Sequence, residues 1–372
     1  MKDVLLVGGG KIGAMITELL ANSGSYGDKS SSSNDYRITV ADRSEDALRK
    51  VMRHERVDTL ALDVADEAAL ARALAGKFAV LSAAPYSVTL DIAKAAAKAG
   101  VHYFDLTEDV ATTHKVLELA KTSTAVMMPQ CGLAPGFISI LGMHVAKPFD
   151  ELEELRLRVG ALTQFPTNGL KYNLTWSTAG LIHEYLQPCE AVVDGEPRTV
   201  DPLEGLETFS LDGTDYEAFN TSGGLGTLCE RLNGIRQLNY KTVRYPGHNA
   251  ILKLLIQDLK LGKDEKLLVR IFDDALPVSY DDVVLIFVSA IGRIDGQLRQ
   301  KSAVRKVYAR ELNGQHWSGI QITTASAICA VLDMVREGTL PKTGFIHHDQ
   351  VDLGQFLANR FGAHYGGRAT EA

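Results

Sequence analysis

Apolar positions in the first third of the chain come in short runs, each followed by a stretch of helical periodicity. Val4-Leu5-Leu6-Val7 is wholly apolar, and Ala14–Leu20 follows as a helix. The alternation then repeats. Strand Arg37–Arg43 leads to helix Ser44–Met52, and strand Thr59–Leu62 to helix Glu67–Leu74. Strand Phe78–Pro85 leads to helix Val88–Ala99, closed by Gly100. Strand Val101–Leu106 leads to helix Val110–Thr122, and Ala125–Pro129 is a sixth strand. The links are short, apart from the Ser/Gly/Asn/Asp segment Gly24–Asp35, which reads as a loop. Such a β-α-β-α series predicts a parallel, doubly wound sheet whose ligands sit beyond the carboxyl ends of the strands.

Beyond about residue 150 the period changes to two. Leu152–Gly160 alternates like a half-buried strand. Further strand-like runs are Ala191–Val193, Thr208–Leu211, Leu238–Tyr245, Val283–Ser289 and Ala303–Arg310, with few helices between, mainly Thr178–Leu186 and Ala250–Leu259. A long helix, Ile320–Arg336, is stopped by Gly338 and Pro341. The expected fold class is therefore α/β, a doubly wound N-terminal sheet joined to an α+β domain with a mostly antiparallel sheet. The expected division is a dinucleotide-binding domain at 1–130, a substrate-binding and dimerisation domain at 131–319, and C-terminal helices at 320–372 returning to the first.

The 372 residues suffice for a large core. A net charge of −7 without a basic block argues against nucleic acid or an acidic membrane surface as partner. No apolar run approaches the roughly 20 residues of a membrane span. Cys131, Cys189, Cys229 and Cys329 lie far apart with no metal spacing, so free thiols in a cytoplasmic setting are expected, and no metal. His347-His348-Asp349 lacks further ligands in sequence.

The first candidate chemistry lies directly after the first strand, in Gly8-Gly9-Gly10-Lys11-Ile12-Gly13. Strand, G-x-G-x-x-G and helix in that order form the Rossmann dinucleotide fingerprint. Gly8 permits the turn, Gly10 the approach of a pyrophosphate, and Gly13 the close packing of helix on strand. The helix N-terminus then faces the phosphates. Asp42 ends the second strand, either as acceptor for the adenosine ribose hydroxyls or as a helix N-cap. As ribose acceptor it favours NAD over NADP, while Arg43 beside it can take a 2′-phosphate or stack on adenine. Asp63, Ser82, Ala83 and Pro85, at or just beyond later strand ends, complete the candidate cofactor set. Tyr86 can place a phenol near the nicotinamide or serve as a wall. Asp105 can pair with a cationic substrate, cap a helix, or link to the Thr107 backbone. Cys131, at the mouth of Cys131-Gly132-Leu133-Ala134-Pro135-Gly136, is either a nucleophile or a small buried residue beside the cofactor.

In the second domain Trp176 precedes a helix capped by Ser177 or Thr178, and either roofs a substrate or packs in the core. Thr221–Gly226 can offer backbone N–H groups to a small anion. Arg244 suits a carboxylate held by two parallel hydrogen bonds, or else a salt bridge. His248 either moves protons or is structural.

These motifs, above all Gln130–Gly136, Asn173–Ser177, Thr221–Gly224 and Thr242–His248, are collinear with the saccharopine dehydrogenase superfamily. The chain resembles that family over essentially its whole length, and within it is most similar to the bacterial L-lysine 6-dehydrogenases. The inserted Gly24–Asp35 segment is the main departure. The resemblance implies NAD-dependent oxidative deamination of the ε-amine of L-lysine to 2-aminoadipate 6-semialdehyde, ammonia and NADH. It also implies a homodimer or larger assembly. It puts Asp105 against the substrate amine, assisting proton transfer, and Cys131 on the nicotinamide side. Tyr86 and Trp176 become pocket walls and Arg244 the α-carboxylate clamp. Two other readings stand beside it. One is a saccharopine-type enzyme acting on a secondary amine, which needs a second carboxylate site for which Lys171 is the nearby candidate. The other is a non-catalytic NAD-binding regulator.

Overall fold

The structure, a computed structural model, describes residues 1–26, 35–366 and the backbone of 370–371. Residues 27–34, most of the Ser-rich segment, lie outside the described residues. The chain divides into two compact units, Met1–Ile140 with Gln321–Gly366, and Leu141–Ile320 with Gly367–Ala372.

The first unit is built on a parallel seven-stranded sheet. Its strands are β1 (Lys2–Val7), β2 (Tyr36–Asp42), β3 (Val57–Ala61), β4 (Ala79–Ser82), β5 (His102–Asp105), β6 (Val126–Met128) and the two-residue Gly344–Phe345. The order is 3-2-1-4-5-6, with Gly344–Phe345 outside β6. β1 is apolar throughout its centre because both its faces are covered. Leu5 and Val7 join Leu70, Ile92, Ala96 and Val116 in one core, contributed by the helices Glu67–Leu74, Tyr86–Ala99 and Val110–Ala120. Leu6 lies on the opposite face, toward helix α1 (Lys11–Ala21). The chain runs outward from β1 to β2 and β3, then crosses back to β4 on the other side. The switch point therefore lies between β1 and β4, where Val7 pairs with Ser82.

Several elements depart from expectation. The helix expected over Ser44–Met52 spans only Glu45–Arg49, because Lys50 and Val51 donate to carbonyls three residues back and tighten the last turn. Phe137–Ala146 is an unforeseen helix, buried almost all round. Its sequence has no polar stripe to betray a period.

The second unit is organised on a nine-stranded, mostly antiparallel sheet. Its main strands are β7 (Glu151–Thr163), β8 (Cys189–Val193), β9 (Glu196–Val200), β10 (Glu207–Leu211), β11 (Thr214–Asn220), β12 (Gln237–Arg244), β13 (Asp282–Ile294) and β14 (Gln297–Tyr308). The central order is β10-β11-β12-β7-β13-β14, with one parallel pair, β12 on β7. Helices Thr178–Leu186, His248–Lys253 and Glu265–Ala275 bury Leu181, Tyr185, Leu252, Leu268 and Phe272 together with Phe219 of β11. The helix expected at Ala250–Leu259 begins at His248 and gives way to a π-helical turn at Leu254–Asp258. The fold class is thus the expected one, α/β with a second mixed-sheet domain.

Candidate functional site

In the first unit the turn after β1 is shaped by its glycines. Gly8 has φ +109°, and a Cβ there would lie 2.5 Å from the Ala83 carbonyl oxygen. A Cβ on Gly13 would lie 1.9 Å from the Gly8 carbonyl oxygen. Gly10 differs, since a Cβ there meets nothing within 4 Å. Gly8 and Gly13 thus serve the fold, while Gly10 keeps an open approach at the N-terminus of α1, where no side chain caps the free N–H groups. Lys11 and Ile12 form the first turn of α1.

Asp42 is not the cap of the next helix, a role held by Ser44. Its Oδ2 instead accepts the Gly9 N–H at 2.8 Å and its Oδ1 the Ser44 N–H at 2.8 Å. The acid at the end of β2 therefore braces the glycine turn. Arg43 is exposed and has no partner among the described residues. Asp63 is exposed and accepts the Ala65 N–H, while Asp66 caps the helix that follows.

On the other side of the switch point, Ser82 at the end of β4 is buried and its Oγ has no hydrogen-bond partner among the described residues. Pro85 starts the helix Tyr86–Ala99, and Tyr86 is 46% exposed. Asp105 at the end of β5 is 0% exposed. Its Oδ2 accepts the Tyr103 hydroxyl at 2.5 Å, and its Oδ1 accepts the backbone N–H of Thr107 at 2.9 Å and of Gln130 at 2.8 Å. Burial lifts its pKa to about 6, against the pull of these donors. Asp105 makes the link to the Thr107 backbone, one of the roles its position at a strand end allows.

That link holds the turn carrying Cys131. Gln130 adopts φ +60°, with its N–H on Asp105 and its carbonyl accepting from His348 Nε2 at 2.9 Å. Its buried carboxamide has no hydrogen-bond partner among the described residues. Cys131 is buried and donates its thiol to the Met128 carbonyl at 3.0 Å. Burial, then the nearby Asp105, push the thiol well above its ordinary range, which disfavours the thiolate. Gly132 and Gly136 close the motif back to back, since a Cβ on Gly136 would lie 2.0 Å from the Gly132 carbonyl oxygen.

These features suit a dinucleotide. The open Gly10, the uncapped helix end and the unpartnered Ser82 and Gln130 side chains all lie at the carboxyl ends of β1, β4 and β6.

The second unit places Arg244 at the end of β12, 3% exposed. Its Nε donates to the Tyr185 hydroxyl at 3.0 Å and its Nη1 to the Val243 carbonyl at 2.8 Å. The guanidinium lies 5.0 Å from the Tyr172 ring centroid and 5.9 Å from that of Tyr185. Glu184 attracts it through space, but no described carboxylate forms an ion pair with it. The salt-bridge alternative therefore fails among the described residues, and Nη2 has no hydrogen-bond partner among them.

His248 is buried, with Nδ1 2.8 Å from the Leu170 carbonyl and Nε2 3.2 Å from the Tyr185 hydroxyl. A carbonyl only accepts, so the network assigns the proton to Nδ1 and leaves Nε2 to accept from Tyr185. Burial, then Arg244, lower its pKa to about 3, so it stays neutral and moves no protons near pH 7. Glu217 accepts the N–H of Gly247 at 2.8 Å and of Asn249 at 2.6 Å, which pins the turn between Arg244 and His248. Trp176 is half-buried against Gly180 and donates to the Tyr172 hydroxyl at 3.2 Å, with Ser177 as the helix cap. The Thr221–Gly224 segment is a packing element. Ser222 donates its N–H to the Glu184 carbonyl, and a Cβ on Gly224 would lie 2.2 Å from the Tyr240 ring. Tyr172, Tyr185 and Glu217 carry no sequence signal of these roles, and Gln130 is legible only as the first residue of its motif.

Among the described residues no three His, Cys, Asp or Glu side chains gather as a metal site, and no helix is long and apolar enough to cross a membrane.

Comparison with known proteins agrees with this geometry. Residues 4–127 match the family model described as the saccharopine dehydrogenase NADP binding domain. Residues 132–364 match the saccharopine dehydrogenase C-terminal domain. The chain is 23% identical over 351 residues to the saccharopine dehydrogenase [NADP(+), L-glutamate-forming] of Saccharomyces cerevisiae, covering 86% of this chain and 72% of that protein. It is 20% identical over 284 residues to the mitochondrial alpha-aminoadipic semialdehyde synthase of Mus musculus, covering 70% of this chain and 28% of that one. Among solved structures, the apo S. cerevisiae saccharopine dehydrogenase shares the fold with a TM-score of 0.78 at 16% identity over 100% of both chains. The homospermidine synthase of Legionella pneumophila in complex with NAD gives 0.68 at 13% identity, covering 100% of this chain and 91% of that one. The chain belongs to the saccharopine dehydrogenase family and is an oxidoreductase with an NAD(P)-binding domain.

Proposed function

We propose that the chain oxidises the ε-amine of L-lysine with NAD. Lysine, NAD and water give 2-aminoadipate 6-semialdehyde, ammonium, NADH and a proton. The observation that carries the reading is Arg244, a buried cation with a free donor edge in a box of tyrosines. Such a group favours one carboxylate. A saccharopine-type site needs a second, and the other cations offer little for it. Arg158 and Lys241 are both ion-paired with Glu207, and Lys171 is exposed and donates to the Pro246 carbonyl.

A bound oxidised nicotinamide would supply the hydride acceptor for C6. The chain's own residues bind and orient. The glycine turn and the N-terminus of α1 take the pyrophosphate. Asp42 takes the ribose hydroxyls while bracing Gly9. Ser82 and Gln130 offer hydrogen bonds on the nicotinamide side, with Cys131 as a neutral neighbour. Arg244 clamps the α-carboxylate, and Trp176 lends an apolar face within the same unit. Asp105 is a positioning residue that fixes the Gln130–Cys131 turn. The ε-ammonium must lose its proton before hydride leaves the adjacent carbon, so the reaction is favoured at alkaline pH.

A second reading rests on the curated relatives, which are named as NADP-dependent and glutamate-forming saccharopine dehydrogenases. Here the substrate is a secondary amine and the cofactor NADP, with Arg43 at the 2′-phosphate. Absorbance at the reduced-nicotinamide band separates the readings, with L-lysine, D-lysine, ornithine and saccharopine each offered with NAD and NADP. Reduction by L-lysine alone, with equal ammonia released, supports the first. Turnover of saccharopine alone replaces it with the second. Dinucleotide binding without turnover of any amine leaves only a binding protein.

A further inference from the structure

Arg244 carries five N–H donors in a fixed fork, so where its free donors point depends on what takes the others. Nε–H is taken by the Tyr185 hydroxyl and one Nη1–H by the Val243 carbonyl. Tyr185 is in turn held by His248, whose other nitrogen is tied to the Leu170 carbonyl. The proton order along this chain is determined. Leu170 can only accept, so His248 donates from Nδ1 and accepts at Nε2. Tyr185 must then donate to His248, which leaves its oxygen lone pairs for Arg244. Every member is buried, Tyr185 at 0%, His248 at 1% and Arg244 at 3% exposure, so none exchanges its partner for water. The backbone end of the relay is pinned as well, because Glu217 holds the N–H groups of Gly247 and Asn249 on either side of His248.

We infer that Tyr185, held in one orientation by His248, is a positioning residue that commits the Nε side of Arg244 to the protein, so that a ligand carboxylate is taken end-on by the two Nη groups. The inference rests on reading Arg244 as a carboxylate clamp. It adds that the clamp is specific in geometry as well as in charge. A phenol and a neutral imidazole, rather than a directly paired acid, orient the arginine, so among the described residues no carboxylate occupies the edge offered to the ligand.

The test uses the full chain saturated with NAD. Its probe is hexanoate, the lysine skeleton without either amine, with tryptophan fluorescence as readout. Trp176 reports because it donates to Tyr172, which lies beneath the guanidinium. Tyr185→Phe, which removes only the acceptor oxygen, is expected to raise the hexanoate Kd about tenfold and leave the NAD Kd unchanged. Arg244→Lys keeps the charge but cannot serve Tyr185 and both carboxylate oxygens together, and is expected to raise it further. If Tyr185→Phe does not fold, His248→Phe, which removes the acceptor that orients Tyr185, takes its place with the same expected loss of hexanoate affinity. Wild-type affinity in either folded variant overturns the inference, as does a wild-type chain that gives no response to hexanoate. A purely structural Tyr185 would move the NAD Kd and the thermal midpoint together with hexanoate. The lysine reading fails separately. A chain that binds hexanoate through this relay but reduces no NAD with lysine keeps the relay and loses the substrate.

Discussion

Two buried charges, one in each unit, look alike in the sequence and behave oppositely in the structure. Asp105 is an acid at the end of a parallel strand, and both its oxygens are filled by the chain's own donors. Arg244 is a base at the end of a strand in the mixed sheet, and its outer edge is left open with no described counter-charge in contact. A buried charge saturated by its own fold is spent on architecture. One left unsaturated costs stability and is kept where a ligand completes it. This difference, rather than residue type or motif, makes Arg244 the better candidate for substrate contact.

The comparison breaks most sharply on paired substitutions. Arg244→Met fills the same space without charge. It is expected to raise the lysine KM about 100-fold, the loss of two charged hydrogen bonds, while the unfolding free energy holds or rises. Asp105→Ala is expected to do the reverse, losing about 3 kcal/mol or more because Tyr103, Thr107 and Gln130 are left with unsatisfied buried donors. Steady-state kinetics beside urea unfolding measures both. A destabilised Arg244→Met would mean that the guanidinium holds the fold together and the contrast is false.

The pH dependence of Asp105 sharpens the same point. Its carboxyl titrates at about 6 in the fold, above the roughly 3.9 of an unfolded aspartate. Between these values the folded chain holds a proton that the unfolded chain has lost. Its stabilising contribution is therefore complete below about pH 4 and falls away as pH rises to about 6. Asp105→Asn has no such step. The stability advantage of wild type over the variant should narrow across that window and stay level above it. Asp282, which also titrates at about 6, is common to both chains and cancels. A flat difference from pH 4 to 6 would remove the buried carboxyl from the account.

What the sequence conveys and what it hides follow the same division. The nucleotide-binding turn is legible because Gly8, Gly10 and Gly13 act through backbone geometry within a few residues of one another. Asp105 was visible as an acid at a strand end, but where its oxygens point is set by Tyr103 and by a backbone N–H 25 residues on. Arg244 was visible in its motif. Its surroundings were not, because Tyr185 lies 59 residues earlier and the Leu170 carbonyl 78 residues before His248. Only the pairing of distant elements in the second unit brings them together. The helix Phe137–Ala146 escaped for a simpler reason: a segment apolar on all sides has no amphipathic period to read.

Asp42 is intermediate between the two charges, half-exposed with one bond from each oxygen to the backbone. Asp42→Ala should weaken both dinucleotides through Gly9, but NAD by about tenfold more than NADP, since only NAD leaves the 2′-hydroxyl for it to accept. Arg43→Ala should weaken NADP and leave NAD unchanged. Fluorescence titration with the two reduced cofactors gives the ratios. Equal losses for Asp42→Ala would make it a brace for the glycine turn and no ribose ligand, moving it to the Asp105 side of the contrast.

The smallest effect belongs to Cys131, where motif and chemistry part most clearly. The thiol stands at the mouth of a Gly-Pro-Gly turn beside the expected nicotinamide position, yet it is buried, it donates to the Met128 carbonyl, and the neighbouring Asp105 opposes a thiolate. It lacks the base or positive field that activates a nucleophile. Cys131→Ala should therefore change kcat/KM by less than about threefold, within the range of a small packing change. Iodoacetamide should label this residue slowly in the folded chain and readily after unfolding. Rapid labelling of Cys131 at neutral pH, or a loss of activity that serine does not restore, would show that a buried and saturated group can still do chemistry here, and with it the rule drawn from Asp105 and Arg244 would fail.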